Sequence, residues 1–226
     1  IASADLTDTA LLLAVWGTPG GKGLRLPTPP PELSMSAAVR VLTELELVDA
    51  QGRPTDMGKR VAQLPIGVRE ARALLDGAKE LENARTAAEA VAAISDDHRE
   101  AGADLTSLLR DLKSGRAPGA TRWQREASRL EKLVSGDIVQ SNQHELHAVP
   151  HLQHADAPGI VTALARPEWV ARRTAKTSRS YLLASGTRAA LPEGSTLQTH
   201  EWIAVNEVQR ADGFATDGTG AVIRMA

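Results

Sequence analysis

Apolar residues recur with the period of an α-helix along the first 65 residues of the chain. Three helices are predicted from this spacing, over residues 5–16, 33–46 and 56–63. Asp56 is expected to cap the third helix, because an aspartate side chain can accept hydrogen bonds from the free N–H groups of a first turn. A turn at Gln51-Gly52 predicts a short β-hairpin between the second and third helices. Short helices with one small β-wing are typical of a winged-helix module, to which we assign residues 1–65.

Four further helical stripes follow, and they predict an antiparallel bundle over residues 66–147. The stripes begin at Val68, Ala87, Leu105 and Trp123. The third is the most regular, with leucines at positions i, i+3, i+4 and i+7 from Leu105. Short loops between the stripes favour neighbouring helices that run in opposite directions.

From Val149 onward, short apolar runs replace the helical pattern. Runs at residues 181–184, 202–205 and 221–225 lie between turns rich in Gly, Pro and Thr, so each is predicted to be a β-strand. We assign residues 148–226 to a small β-rich, barrel-like domain. Because so few strands are visible in the pattern, we expect this domain to be truncated.

The composition narrows the class of protein. Apolar residues make up 42% and charged residues 24% of the 226 residues, as is usual for folded domains. The net charge of −2 excludes a uniformly basic, histone-like binder of polyanions. The chain has no cysteine, which removes disulfides, thiol nucleophiles and cysteine-bound zinc. The longest apolar run, Ala10–Trp16, is far shorter than the ~20 residues that a membrane span needs.

A glycine-rich segment, Gly17–Gly23, invites comparison with a phosphate loop, but its spacing is wrong. Such a loop needs four residues between its first glycine and Gly-Lys, and then Ser or Thr. Here only three residues separate Gly17 from Gly21-Lys22, and Gly23 stands where the Ser or Thr would be. The segment is therefore predicted to be a flexible turn rather than an ATP site. Because the chain also lacks a Gly-x-Ser-x-Gly elbow, we assign no catalytic residues.

Four histidines fall within eleven residues, at His144, His147, His151 and His154. This spacing can supply zinc ligands if the segment is helical. Pro150 breaks such a helix, and a polar linker between two domains is the alternative explanation of the cluster. We therefore leave metal binding open and assign no metal ligands.

The main functional signal in the sequence is a basic stretch over residues 163–191. It contains six basic residues and a single acidic one, Glu168. The basic residues are Arg166, Arg172, Arg173, Lys176, Arg179 and Arg188. Lys and Arg bind phosphates with release of counterions, and Trp169 and Tyr181 are placed to stack on unpaired bases. The alternative is a solvated surface with both aromatic side chains buried.

Several short motifs, in order along nearly the whole chain, resemble the accessory C-terminal region of DEAH-box RNA helicases. The first part of the resemblance lies in Leu26–Pro31, Asp49, Gly52, Thr55–Gly58, Leu64-Pro65 and Arg69. The second part is similar to the bacterial HrpB-type branch and lies in Pro167–Arg173, Tyr181–Gly186, Arg188-Ala189 and Glu201–Val205. The chain departs from the family pattern at Glu46, where a glycine is common, and at Glu168-Trp169, where Asp-Arg is usual.

The resemblance implies a multidomain, mainly α fold: a winged helix, a helical ratchet bundle and a small β-rich, OB-like domain. In such ATP-dependent RNA helicases these domains close a channel around single-stranded RNA, and two RecA-like motor domains bind ATP and Mg²⁺. We expect the motor domains to precede Ile1, where the chain lacks an initiator methionine, so that this chain carries no ATPase site. The basic residues of 163–191 would contact RNA phosphates, with Arg69 and Arg72 as weaker candidates, and the protein would be cytoplasmic.

Two other functions remain open at this point. A winged helix can bind duplex DNA through a basic recognition helix, although residues 33–46 carry Arg40 against Glu44 and Glu46. The chain can also be a protein-interaction scaffold, with metal bound at the histidine cluster. The scaffold hypothesis predicts no RNA affinity and a melting temperature that is sensitive to chelators.

Overall fold

The computed structural model describes residues 5–98, 100–141 (backbone alone for 136–141), 156–211 and 220–226. These residues form eight α-helices and one six-stranded mixed β-sheet. The chain divides into two compact units, Ile1–Arg72 and Ala73–Ala226. The assignment of three domains remains a prediction.

The first unit contains three helices, as the apolar pattern predicts. They are α1 (Thr7–Val15), α2 (Glu32–Glu44) and α3 (Asp56–Val61). α1 packs against both of the others, and Leu11, Leu42 and Val61 are almost fully buried among them. The helix α2 follows directly from its apolar spacing, since Met35, Ala38, Leu42 and the following Leu45 are buried on one side.

The predicted β-hairpin is present between α2 and α3 in a reduced form. A single antiparallel bridge joins Val48 to Pro54. The Asp49 carboxylate closes the turn by accepting hydrogen bonds from the backbone N–H groups of Gln51 and Arg53, both at 2.9 Å. These local bonds stabilise the turn, although Pro54 offers no backbone N–H to a longer ladder.

The end of α2 forms a Schellman motif, which needs one residue in the left-handed conformation. Glu46 takes this conformation with a φ of 57°. The following residue, Leu47, is fully buried and donates its N–H to the carbonyl of Leu42 at 2.8 Å. Glycine adopts such a φ without strain, which gives a physical reason for the glycine that is common at this position in the resembled family.

The start of α3 requires a correction, because Thr55 and not Asp56 is its N-cap. The Thr55 hydroxyl accepts a hydrogen bond from the N–H of Gly58 at 3.0 Å. Asp56 lies in the first turn, where its carboxylate pairs with Lys59 at 2.9 Å. Since an N-cap residue lies outside the helix, the extended backbone of Thr55 makes it the cap.

Four more helices follow, as the four apolar stripes predict. They are α4 (Val68–Glu80), α5 (Ala84–Ile94), α6 (Leu105–Lys113) and α7 (Ala120–Ser141). Their apolar stripes are inward: Leu74, Val91, Leu105 and Leu130 are each at most 1% exposed. In the second unit α5 packs against α7 and α6.

A further helix, α8 (Ala157–Ala165), lies in the region that the apolar pattern assigned to β-structure. It packs against α5, and its Val161 is fully buried. The packing is close, since a Cβ atom on Gly77 of α4 would lie only 3.1 Å from the Val161 methyl carbon Cγ2. The helix was missed because most of its sides are apolar, which hides the period of 3.6, and because Pro158-Gly159 is typical of a turn.

The sheet contains the three predicted strands and three that the pattern does not predict. Its strands are β1 (Val170–Arg173), β2 (Ser180–Leu183), β3 (Arg188–Ala190), β4 (Trp202–Ala204), β5 (Glu207–Arg210) and β6 (Ala221–Met225). They pair in the order β4-β1-β2-β3-β6-β5, antiparallel except for the pair β3–β6. The unpredicted strands β1, β3 and β5 are three or four residues long and contain arginine, which hides their period of two.

The first and last strands of this order are consecutive in the chain, so the sheet closes into a barrel. β4 pairs with β1, β5 pairs with β6, and only Val205 and Asn206 separate β4 from β5. Val205 donates its N–H to the carbonyl of Trp169 at 3.2 Å, and Asn206 donates its N–H to that of Met225 at 2.9 Å. Residues 202–210 therefore form one continuous segment, whose first part is hydrogen-bonded to β1 and whose second part is hydrogen-bonded to β6.

The barrel is attached to the helices at the start of α6. The Asp104 carboxylate caps α6 by accepting the N–H groups of Thr106 and Ser107, and it accepts the hydroxyl of Thr196 at 2.6 Å. Burial acts to raise the pKa of Asp104, but these hydrogen bonds hold it below its usual value. The contact is therefore at full strength at neutral pH and weakens only as the pH falls through this lowered pKa.

Gly58 lies where α3 passes directly over the backbone of Leu47. A Cβ atom at position 58 would lie 2.0 Å from the Leu47 carbonyl oxygen. We expect Gly58→Ala to lower the free energy of unfolding by about 1–3 kcal/mol, because the helix or the turn must shift. Urea denaturation measures this loss. The control is Gly159→Ala in α8, whose Cβ would meet no atom within 4 Å, and unchanged stability in Gly58→Ala would contradict the close approach.

Candidate nucleic-acid interface

The basic stretch forms part of the barrel wall, where the pleat of β1 separates inward from outward side chains. Ala171 is fully buried inside the barrel, whereas Arg172 is exposed outside it. The register places Trp202 of β4 and Leu182 of β2 directly opposite Arg172, and Arg188 of β3 opposite Leu182. All four are exposed. We call Trp202, Arg172, Leu182 and Arg188 the outer row.

Arg172 is held near the centre of the outer row by two contacts. Its Nε and Nη2 atoms both lie 2.9 Å from the carboxylate oxygen Oε1 of Glu201. Its guanidinium carbon lies 5.4 Å from the centroid of the Trp202 ring, within the range of a cation–π interaction. Both side chains of the ion pair are more than half exposed, so phosphate oxygens of a ligand can compete with Glu201 for the guanidinium.

Three of the six predicted phosphate-binding residues donate hydrogen bonds to the protein itself. They are Arg166, which donates to the side-chain oxygen of Asn206 at 3.3 Å, Arg173, which donates to the Gln198 carbonyl, and Arg179, which donates to the Leu191 carbonyl at 3.0 Å. All three are half-buried. Their contacts hold loops of the barrel in place.

The other three predicted residues, Arg172, Lys176 and Arg188, are exposed. Arg172 and Arg188 belong to the outer row, and Lys176 lies in the loop between β1 and β2. The basic stretch therefore presents three of its six cations on the barrel surface, and uses the other three within the structure.

Of the two aromatic residues that were expected to stack on bases, Tyr181 is buried and therefore cannot contact a ligand. Tyr181 is fully buried, and its hydroxyl lies within hydrogen-bonding distance of the carbonyl oxygens of His200 at 2.6 Å and Leu197 at 3.1 Å. This burial raises the pKa of Tyr181 above its usual value. Trp169 is half-buried, with the guanidinium of Arg166 at 5.0 Å from its ring centroid.

Trp202 is an exposed aromatic residue that the sequence analysis did not select. It is 58% exposed, although the next residue, Ile203, is buried. The run Trp202–Val205 has the composition of a strand buried on both faces, so its apolar pattern does not show that Trp202 faces outward. The closure of the barrel decides that orientation.

A second group of cations surrounds a groove of about 530 Å³ on the barrel. Arg210 of β5 and Arg224 of β6 line this groove together with Arg179. Arg224 donates to the side-chain oxygen of Gln209 at 2.9 Å, and Glu193 adds a carboxylate to the lining. Arg210 and Arg224 lie far along the chain from most of the basic stretch, which is why sequence analysis missed them.

The helix α7 carries a further basic face. Arg125, Arg129 and Lys132 recur at helical spacing and line a shallow groove of about 650 Å³. Glu126 pairs with Arg129 and reduces the net charge of this face. The hydrogen bond from Arg129 lowers the pKa of Glu126, so this carboxylate stays ionised near neutral pH.

The described residues contain neither a metal-binding cluster nor a membrane-spanning helix. Among them, no group of three or more His, Asp or Glu side chains is placed to hold a metal ion. The histidines at 144, 147, 151 and 154 lie outside the described residues. None of the helices in those ranges combines the length and the apolar character needed to cross a bilayer.

Comparison with solved structures finds similarity to helicases of Escherichia coli. The crystal structure of the E. coli DExH-box NTPase HrpB has a TM-score of 0.72 and 25% identity to this chain, of which it covers 98%. The crystal structure of the E. coli DEAH/RHA helicase HrpB has a TM-score of 0.71 and 24% identity, again over 98% of this chain. This chain spans only 24% and 26% of the two proteins, about a quarter of their length. No family model and no curated protein matches the chain.

The structural similarity confirms the resemblance that the sequence motifs indicate. It extends over nearly the whole chain, and it is consistent with the C-terminal region of an HrpB-type helicase. The eight helices and the mixed sheet agree with the mixed helical and β architecture of that region.

The half-buried and the exposed arginines are expected to respond differently to mutation. Arg173→Ala removes a donor to the Gln198 carbonyl and should lower the free energy of unfolding by about 1–3 kcal/mol. Arg188→Ala removes an exposed side chain and should change it by less than about 0.5 kcal/mol. Thermal or urea unfolding of the two variants measures the difference. Equal stabilities would contradict the division into structural and exposed cations.

Proposed function

We propose that this chain is the accessory region of an ATP-dependent RNA helicase and forms part of the wall of its single-stranded RNA channel. The observation that carries the proposal is the similarity to the E. coli helicase HrpB over 98% of this chain. Because the similarity spans about a quarter of that helicase, we assign the ATPase activity to RecA-like motor domains of the same polypeptide, outside this chain. ATP and Mg²⁺ would bind there, and the protein would act in the cytoplasm.

On this proposal residues 1–65 are the winged helix, 66–147 the ratchet bundle and 148–226 the OB-like domain. The strand order supports the last of these names. When residues 202–210 are counted as one strand, the barrel has five strands, with β1 to β3 as a meander. This is the strand number of the OB-fold, whose surface binds oligonucleotides in many proteins.

The barrel contributes contacts to RNA rather than chemistry. We assign the phosphate contacts to the exposed cations Arg172, Lys176 and Arg188, while Arg166, Arg173 and Arg179 position the wall. Such contacts do not depend on the base sequence, as a motor that moves along a strand requires. Because they replace counterions on the phosphates, they weaken as the salt concentration rises. Motor opening and closing would then step the strand along this wall.

The α2 surface favours this function over binding of duplex DNA. A helix that reads the major groove needs basic or amide side chains on its exposed face. The exposed positions of α2 include Arg40 but also Glu32 and Glu44, so the face carries more negative than positive charge. This helix would therefore repel the phosphates on both sides of the groove.

The proposal also gives the motor domains a place to dock on the first unit. Leu12, Val15 and Trp16 share one side of α1 and are 46%, 37% and 69% exposed. The opposite side of α1 is buried, so the helix is apolar on both sides from Ala10 onward, after a polar first turn that contains Asp8. Such a pattern is typical of a helix that is covered on both sides. We propose that the motor domains of the same polypeptide cover this side.

The RNA proposal predicts salt-dependent binding of labelled oligo-U RNA to the 226-residue chain, measured by fluorescence anisotropy. We expect Arg172→Glu/Arg188→Glu to weaken binding about tenfold or more. It should also reduce the slope of log K against log salt by about 1.4, since each single-strand phosphate contact contributes about 0.7. The control is Arg110→Glu/Arg116→Glu, an equal charge change at exposed positions of and after α6. Absence of binding by the folded wild type, or an equal loss in both variants, would contradict the proposal.

The docking proposal predicts that polar substitutions on α1 weaken association with separately produced motor domains. We expect Leu12→Ser/Trp16→Ser to weaken this association about tenfold or more in titration calorimetry, because apolar burial drives it. Leu33→Ser on α2, at a residue that is 88% exposed, is the matched control and should bind like the wild type. Unchanged association of the double variant would place the motor domains elsewhere.

A further inference from the structure

We propose that Trp202 and Arg172 form a stacking site for one base of a single-stranded nucleic acid, with Arg188 at the other end of the outer row binding a backbone phosphate. The inference deepens the proposed function and rests on it for the identity of the strand as RNA. It adds to the phosphate contacts a base contact, made by a residue outside the basic stretch.

Trp202 contributes little to the barrel interior. It is 58% exposed, while the interior of β4 is supplied by Ile203, which is buried with Tyr181 and Leu183. Leu182, two strands away in the outer row, is also 43% exposed. A large aromatic ring left in water forgoes the gain of burial, so its place on the outer wall is best explained by a ligand that covers it.

The spacing of the outer row fits a nucleic-acid strand. The row crosses four neighbouring strands, and three spacings of 4.7–4.9 Å separate Trp202 from Arg188 by about 14 Å. This distance accommodates a base at one end and the phosphate of a following nucleotide at the other. Leu182 between them offers an apolar surface to the sugar and base edges.

The Arg172 guanidinium completes the stacking surface. It lies 5.4 Å from the Trp202 ring centroid, and the Glu201 carboxylate fixes its orientation. Unpaired bases stack on both aromatic rings and guanidinium planes. Because the guanidinium lies over the ring, the two groups form one exposed stack to which a base can be added.

The charges around Trp202 favour a polyanion over an apolar protein surface as the occupant. Arg172 lies between Trp202 and Leu182, Arg188 lies beyond Leu182, and Glu201 supplies one compensating carboxylate. An apolar protein partner would have to desolvate Arg188 without a counter-charge, which is costly. A phosphate backbone provides that counter-charge directly.

The test compares Trp202→Ala and Trp202→Phe of the 226-residue chain in oligo-U binding. Losing one stacked base should weaken binding by Trp202→Ala about 5- to 150-fold, whereas the ring in Trp202→Phe should retain most of the affinity. Leu33→Ala is the control, because it removes an exposed apolar side chain, 88% exposed, from α2 in the other unit. Unfolding curves verify that every variant is folded.

Two readouts separate stacking from charge. The salt slope should stay unchanged in Trp202→Ala, because no phosphate contact is lost, and it should fall in Arg188→Glu. An abasic ribose-phosphate strand should bind wild type and Trp202→Ala equally. A weaker abasic complex in Trp202→Ala would overturn stacking as the role of the ring.

The failure of this inference differs from failure of the proposed function. Oligo-U binding that is equal in wild type and Trp202→Ala would overturn the stacking site and leave the RNA function intact. No binding by any folded variant at low salt would overturn both. If Trp202→Ala weakened association with the motor domains but not with RNA, the outer row would be a protein contact, and the inference would be wrong.

Discussion

The closure of the barrel by residues 202–210 is the constraint on which the rest of the second unit depends. At its midpoint Asn206 is buried, and its side-chain N–H₂ donates to the Ile94 carbonyl at the end of α5 at 3.2 Å. The side-chain oxygen of the same residue accepts from Arg166 at 3.3 Å, just before β1. One buried amide therefore links the strand that closes the barrel to the bundle and to the start of the sheet. Leaving any of these groups unpaired would incur the cost of a buried polar atom.

This closure also decides which charges reach solvent. Arg172 and Arg173 are neighbours in the chain, but one lies outside the barrel wall and the other donates to the Gln198 carbonyl. Because side chains of a strand alternate between the two faces, a basic stretch in a barrel cannot present all of its charges on one surface. This alternation separates Arg172 from Arg173, whereas Arg166 and Arg179 lie outside the strands and donate to Asn206 and Leu191.

Where one side of an element is apolar and the other polar, the sequence was sufficient to predict the element. The stripe of α6 from Leu105 to Leu112 and the helix α2 were predicted within one or two residues. α8 was not, since it is apolar on most sides. The strands β1, β3 and β5 were not, since each is short and contains arginine, so that none forms an apolar run like those of β2 and β4. The cap of α3 was misplaced by one residue, because Thr55 and Asp56 are both good N-cap residues and only the backbone conformation separates them.

The sequence by itself determined the helices α1 to α7, the absence of cysteine chemistry, the basic stretch and, through ordered motifs, the resemblance to HrpB-type helicases. Such properties depend on residue type and local spacing. Only the tertiary structure decided that Tyr181 is buried, that Trp202 is exposed, and that Arg172 and Arg188 align across the sheet. These facts depend on strand order and register, which join residues as far apart as 172 and 202. Local spacing cannot specify them, because the face that a strand buries is chosen by the partners it meets after folding.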